Sequence, residues 1–178
     1  MSPSDEFLAG SCSTSAPTND DDDDANLVEE AQKLRQELDD QLLRVRSLTF
    51  QEQLVSSVEE QLSDFLILIS QYSNEALERA LVMTIGTPDD PSYTGRYPLH
   101  LACDTNAPVD MIRFLLKNEP TRQAVRHKDK WEDLPIHTAC SRKDYTQVVE
   151  LLLEYDECKE TIFTPRYDGS LPIHTACR

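Results

Sequence analysis

The chain has 178 residues, and its 33 acidic side chains outnumber 17 lysines and arginines, which gives a net charge of −16. Most of the excess lies in the first half, because residues 1–90 carry 20 acidic and 5 basic side chains, whereas residues 91–178 carry 13 and 12. An acidic surface repels phosphate backbones and anionic membranes. We therefore expect neither nucleic acid nor a membrane as a partner.

The beginning of the chain has no secretory signal, since Asp5 and Glu6 stand where a basic start and a long apolar core would be needed. The longest apolar run, residues 65–69, is far shorter than the roughly 20 residues that span a bilayer. Five cysteines, an odd number, fit a reducing compartment. We expect an intracellular protein, cytoplasmic or nuclear.

Residues 1–25 are rich in serine, threonine, proline and aspartate, and Asp20–Asp24 form an unbroken acidic run. Such a composition buries too little apolar surface to offset chain entropy. We predict a disordered, solvated tail. An acidic docking or phosphorylated segment is the alternative.

Residues 26–86 show the three- and four-residue spacing of helices. Asn26 can cap a first helix, Thr49 with Glu52 makes a capping box for a second, and Ser73 caps a shorter third. Three interpretations remain open for this region. Its helices fold back as an N-terminal cap, residues 26–72 form a coiled coil with a partner chain, or part of residues 50–90 is a decayed copy of the repeat that follows.

One phrase returns three times in the second half, at residues 97–103, 134–140 and 171–177. Each copy contains Pro-Leu/Ile-His-x-Ala-Cys, and its proline, histidine and cysteine recur every 37 residues. A fixed period of about 20–50 residues indicates one supersecondary unit that is copied and stacked. The sequence therefore predicts a repeat array over residues 87–178.

Each copy predicts a pair of helices. Its proline suits a first helical position, where a fixed φ fits and the missing N–H is not needed. A second, mostly apolar helix follows at residues 111–116 and again at residues 148–153, and neighbouring elements should cover most of it. The predicted fold class is an all-α solenoid.

The unit resembles the ankyrin repeat, whose signature is a turn, then Thr-Pro-Leu-His-x-Ala, then an amphipathic helix. Gly95 and Gly169 stand three residues before the proline, where that family has glycine, but Glu132 takes this place in the middle copy. A tyrosine or leucine replaces the family's threonine, and the period of 37 exceeds the usual length of about 33. The resemblance implies that the structural residues of the repeats are Pro98, His100, Ala102, Pro135, His137, Ala139, Pro172, His174 and Ala176.

Each copy also has a histidine and a cysteine on one helical face, as His-x-x-Cys. Zinc ligation is not expected, because packed helices lie about 8–10 Å apart and zinc needs ligands at about 2.0–2.3 Å. A nucleophilic thiol needs exposure and an electropositive setting, whereas Cys103, Cys140 and Cys177 are expected to be buried packing residues. We expect no enzyme activity, no metal and no cofactor.

The resemblance implies that partners contact the turn tips and the exposed positions of the first helices. Trp131, the single tryptophan, falls on a predicted tip, where aromatic side chains often anchor interfaces. The alternative is that it packs against the neighbouring turn. The expected partner-binding residues are Tyr93, Arg96, Lys130, Trp131, Asp133, Arg142, Tyr167 and Ser170.

The sequence thus predicts a non-enzymatic module that binds another protein. Two alternatives are a structural protein that self-associates through a coiled coil at residues 26–72, and a regulatory part of a larger ankyrin protein. The sequence stops at Arg178, before the second helix of the third copy. Because such arrays need about three units and a polar cap, we expect the sequence to be part of a longer array.

Overall fold

A computed structural model describes residues 20–49, 56–84, 88–91, 93–119, 121–143 and 145–177, with side chains in the first two helices described for residues 23–45 and from residue 59 onward. Within those ranges every regular element is helical and no strand occurs, which confirms the predicted all-α class. The elements are α1 (Asp20–Thr49), α2 (Ser56–Ile69), α3 (Asn74–Leu81), α4 (Pro98–Asp104), α5 (Val109–Asn118), α6 (Gln123–Arg126), α7 (Pro135–Cys140), α8 (Thr146–Tyr155), a 3₁₀ turn (Glu160–Phe163) and α9 (Pro172–Ala176).

Helix α1 begins earlier than the sequence predicts, at Asp20 rather than near Asn26. Six residues of the predicted tail 1–25 are therefore helical, and residues 1–19 lie outside the described part of the chain. The expected capping box is not described, since Glu52 lies outside the described residues.

The apolar face of α1 is buried inside the chain rather than offered to a partner. Five side chains along this face are between 0% and 3% exposed, and they face α3 and α4. Helix α1 therefore lies over the first repeat, and we refer to it as the cap. The buried side chains are Ala31, Leu34, Leu38, Leu42 and Val45.

Helices α1 and α3 also occupy the places of a repeat's helix pair. Residues 72–81 lie 37 positions before α5, and α3 falls within this range and packs against α5. Helix α1 takes the place of the first helix, because it packs on both α3 and α4. This arrangement favours a decayed repeat at the position of α3, with α1 in place of its first helix.

Arg35 joins the cap to the repeats through a buried guanidinium that is 2% exposed. Its Nε donates to the carbonyl of Met83 at 2.9 Å, its Nη2 donates to the carbonyl of Arg96 at 3.0 Å, and its Nη1 pairs with Asp39. Burial lowers the pKa of Arg35 to about 9. The side chain therefore stays charged at neutral pH, and one residue of α1 holds the end of α3 and the first repeat together.

The three repeats stack in two rows of helices. Helix α7 lies between α4 and α9 in the first row, and α8 packs on α5 in the second. The turns before the first helices also stack, because the Lys130 N–H donates to the Thr94 carbonyl at 2.9 Å and the Tyr167 N–H to the Trp131 carbonyl at 3.4 Å. A side chain at Gly95 would stand 3.2 Å from the Lys130 nitrogen, so glycine at this position permits the close approach of the turns.

A buried carboxylate precedes each short third element. Asp156 is fully buried and accepts hydrogen bonds from the backbone N–H and hydroxyl of Thr161 and from Arg126. Burial by itself would raise its pKa, but these hydrogen bonds outweigh burial, and the pKa of Asp156 is lowered. Glu119, 37 residues earlier, accepts equivalent bonds from the Thr121 and Ala124 N–H groups. These carboxylates hold α6 and the 3₁₀ turn against the stack.

Replacing the buried guanidinium of Arg35 should detach the cap. The variant Arg35→Met leaves the carbonyls of Met83 and Arg96 without their charged donor, so we expect a loss of about 2–4 kcal/mol in the free energy of unfolding. Chemical denaturation followed by circular dichroism measures it. The matched control is Arg113→Met on the exposed face of α5, which should change stability by less than about 0.5 kcal/mol. Equal losses for both variants would contradict the role given to Arg35.

Glu132 holds a left-handed backbone conformation, with φ of 59°, at the position where the other two copies have glycine with φ of 66° and 79°. A residue with a Cβ is strained in this conformation by roughly 1–2 kcal/mol. Glycine removes this strain, but it also raises the conformational entropy of the unfolded chain, which offsets part of the gain in stability. We expect Glu132→Gly to raise the free energy of unfolding by up to about 1 kcal/mol and the Tm by roughly 2–4 °C.

The control for this prediction is Glu132→Ala, which also removes the exposed ion pair with Lys128 at 3.3 Å but keeps the strained backbone. Surface pairs of this kind contribute about 0–1 kcal/mol, so the alanine variant should be neutral or slightly less stable. A similar rise in Tm for both variants would show that the side chain, rather than the backbone, is responsible.

Candidate functional site

The repeated histidine caps its own helix. The Nδ1 atoms of His100, His137 and His174 accept the N–H of Tyr97, Leu134 and Leu171 at 3.3, 3.1 and 3.0 Å. Each proline is the first helical residue after this N–H. The imidazole thus stands where glutamate or glutamine stands in a capping box. This contact uses no hydroxyl, so the missing threonine of the family signature does not affect it.

The other imidazole nitrogen reaches the next repeat. His100 Nε2 donates to the carbonyls of His127 at 3.0 Å and Asp133 at 3.2 Å. Because Nδ1 accepts and Nε2 donates, the ring is the neutral Nε2–H tautomer. Burial is the main reason that the pKa of His100 is lowered to about 3. Burial also lowers the pKa of His137, and the Nε2 of this ring makes no hydrogen bond within the described residues.

Burial of the repeat residues falls toward the end of the array. His100 is 0% and His137 is 1% exposed, whereas His174 and Ala176 are exposed. The cysteines follow the same order, since Cys103 is buried and Cys140 is half-buried. The prediction that Cys177 is a buried packing residue is wrong, because Cys177 is exposed and the last helix has a neighbour on one side only in the described chain. Pro98, Ala102, Pro135, Ala139 and Pro172 are buried.

One aromatic contact beneath the turns has no signal in the sequence. The ring of His127 stacks on Tyr97 with centroids 3.7 Å apart and nearly parallel planes, and its Nε2 donates to the Gly95 carbonyl at 2.9 Å. The next copy has Thr164 at the equivalent position. The contact is therefore not repeated between the copies, and their comparison does not predict it. The stacked rings fix the first turn against the second.

Trp131 lies on the middle turn and is 40% exposed. The Arg96 guanidinium lies 5.2 Å and the Lys130 ammonium 6.0 Å from the indole ring. The Trp131 N–H donates to Asp129 Oδ1 at 2.8 Å, which fixes the backbone of the tip. The indole thus lies beside cations of neighbouring residues, and part of its surface is exposed.

Arginines under the tips pair inside the chain. Arg96 bonds the buried Asp129 at 3.1 Å and Asp104 at 3.4 Å, and Arg142 bonds Asp104 from the next repeat. Asp133 pairs with Arg166 at 2.8 Å. Three of the expected partner-binding residues, Arg96, Asp133 and Arg142, are therefore parts of an ion-pair network that joins the repeats.

The remaining expected residues differ in exposure. Tyr167 is 65% exposed, with the Arg166 guanidinium 5.4 Å from its ring, and Lys130 is exposed. Tyr93 is half-buried, with its hydroxyl 3.4 Å from the Thr84 hydroxyl, and Ser170 is half-buried with its N–H on Asp168. The structure thus brings Lys130, Trp131 and Tyr167 together on adjacent tips and turns Tyr93 inward.

The chemistry of the cysteines differs from that of a nucleophile. Burial raises the pKa of the Cys103 and Cys140 thiols, whereas a catalytic thiolate needs a lowered pKa.

In the described part of the chain, no group of three or more His, Cys, Asp or Glu side chains could hold a metal ion. The helices described here include none whose length and apolar character would let it cross a membrane.

The buried neutral imidazole predicts a dependence of stability on pH. With a pKa of about 3 in the folded state and about 6.5 in the unfolded state, His100 binds more protons when unfolded over this window. Stability is therefore complete above about pH 6.5 and is lost as the pH falls toward 3, by about 2 kcal/mol at pH 5. His137 adds a loss of the same sign.

Urea unfolding between pH 7.5 and 4.5 measures this dependence. The matched variant is His100→Gln, which keeps a capping-box acceptor and removes the titrating ring, so its stability should fall less steeply between pH 6.5 and 5. An unchanged slope in this variant would refute the assignment of the pH dependence to His100.

Comparison with known families agrees with this architecture. The family model described as ankyrin repeats, with three copies, matches residues 52–161 and, in a second register, residues 99–178. The first match begins before the predicted boundary at 87 and includes all of α2 and α3. No individual curated protein matches the chain. The match spans more than half of the sequence, and the chain belongs to the ankyrin-repeat family.

Proposed function

We propose that the protein is a non-enzymatic module that binds another protein through its turn tips and the exposed surface of its first helices. Ankyrin repeats generally mediate protein–protein interaction and are typically non-enzymatic. The proposed binding residues are those expected from the sequence, with Lys130, Trp131 and Tyr167 in direct contact with the partner. Arg96, Asp133 and Arg142 position the tips from beneath.

The exposed indole of Trp131 is the observation that carries this proposal. Interface energy concentrates in a few aromatic and arginine anchors that lie in pre-formed surroundings. Trp131 is 40% exposed and Tyr167 is 65% exposed, and the Tyr167 N–H bonds the Trp131 carbonyl. Two large aromatic side chains on adjacent, hydrogen-bonded tips therefore form a fixed contact surface.

The ion pairs beneath the tips favour recognition without rearrangement. Arg96 connects Asp129 and Asp104, and Arg142 joins Asp104 from the following repeat. Side chains that are already held lose little conformational entropy when a partner binds. The cations next to Trp131 further favour a partner with acidic residues at the contact.

The burial of the apolar face of α1 argues against a coiled coil at residues 26–72, because that face packs on α3 and α4. The proposal therefore uses α1 as a cap rather than as a zipper. As part of this proposal the protein is intracellular, because an odd number of cysteines, five in this sequence, fits a reducing compartment.

Replacing the anchor tests the proposal. Affinity capture with the full chain should retain a protein that Trp131→Ala loses, and the purified complex should weaken by about 30-fold, as expected for a hot-spot aromatic. Because Trp131 is the only tryptophan, its fluorescence should shift when a tryptophan-free fragment of the partner binds.

The matched control is Ile67→Ala, which removes a large apolar side chain that is 56% exposed on α2, outside the turn tips. It should leave the complex intact. A partner that binds both variants as tightly as the original chain would exclude the tips as the binding surface.

A further inference from the structure

We draw no further inference here: the strongest candidate, the apolar groove of about 680 Å³ between α7, α8, the 3₁₀ turn and α9, is the place that a repeat's own second helix takes in the preceding copies, and nothing in the described residues points to another occupant.

Discussion

The imidazole of His100 is the interaction on which the array depends, because this one neutral ring satisfies a helix terminus and crosses to the next repeat. His100 accepts the N–H of Tyr97 and donates to the carbonyls of His127 and Asp133. A protonated ring has no acceptor nitrogen and is strongly disfavoured in a buried site. The same atoms therefore couple helix capping, stacking of the turns and the protonation state of the protein.

The described array ends differently on its two sides. Helix α1 covers the first repeat, and the buried Arg35 joins it to the carbonyls of Met83 and Arg96. At the other side α9 has no second helix in the described chain, and Ile173 is 60% exposed. In a repeat stack each unit covers its neighbour. Arg35 and the apolar face of α1 cover the first repeat, whereas the last described repeat presents an apolar groove.

The ion pairs beneath the turns connect stability with recognition. Arg96 and Arg142 meet at Asp104, so charges from successive repeats hold the turns in register. The aromatic side chains above them, Trp131 and Tyr167, are left partly exposed on this fixed base. Charges that the sequence presents as candidate contacts thus have a structural role, and the exposed aromatic rings form the contact surface that we propose.

The sequence by itself determined the repeat, its period and its helices, because Pro-Leu/Ile-His-x-Ala-Cys encodes local capping and a local apolar face. It also placed Trp131 on a tip. Tertiary structure decided which charges are paired, that Arg35 is buried, that His127 stacks on Tyr97 and that Ile173 is exposed while Ile136 is not. These outcomes depend on residues about 30 to 60 positions apart, or on whether a neighbouring helix is present. Local residue spacing determines the repeat and its helices, whereas only tertiary packing determines which side chains are buried, paired or exposed.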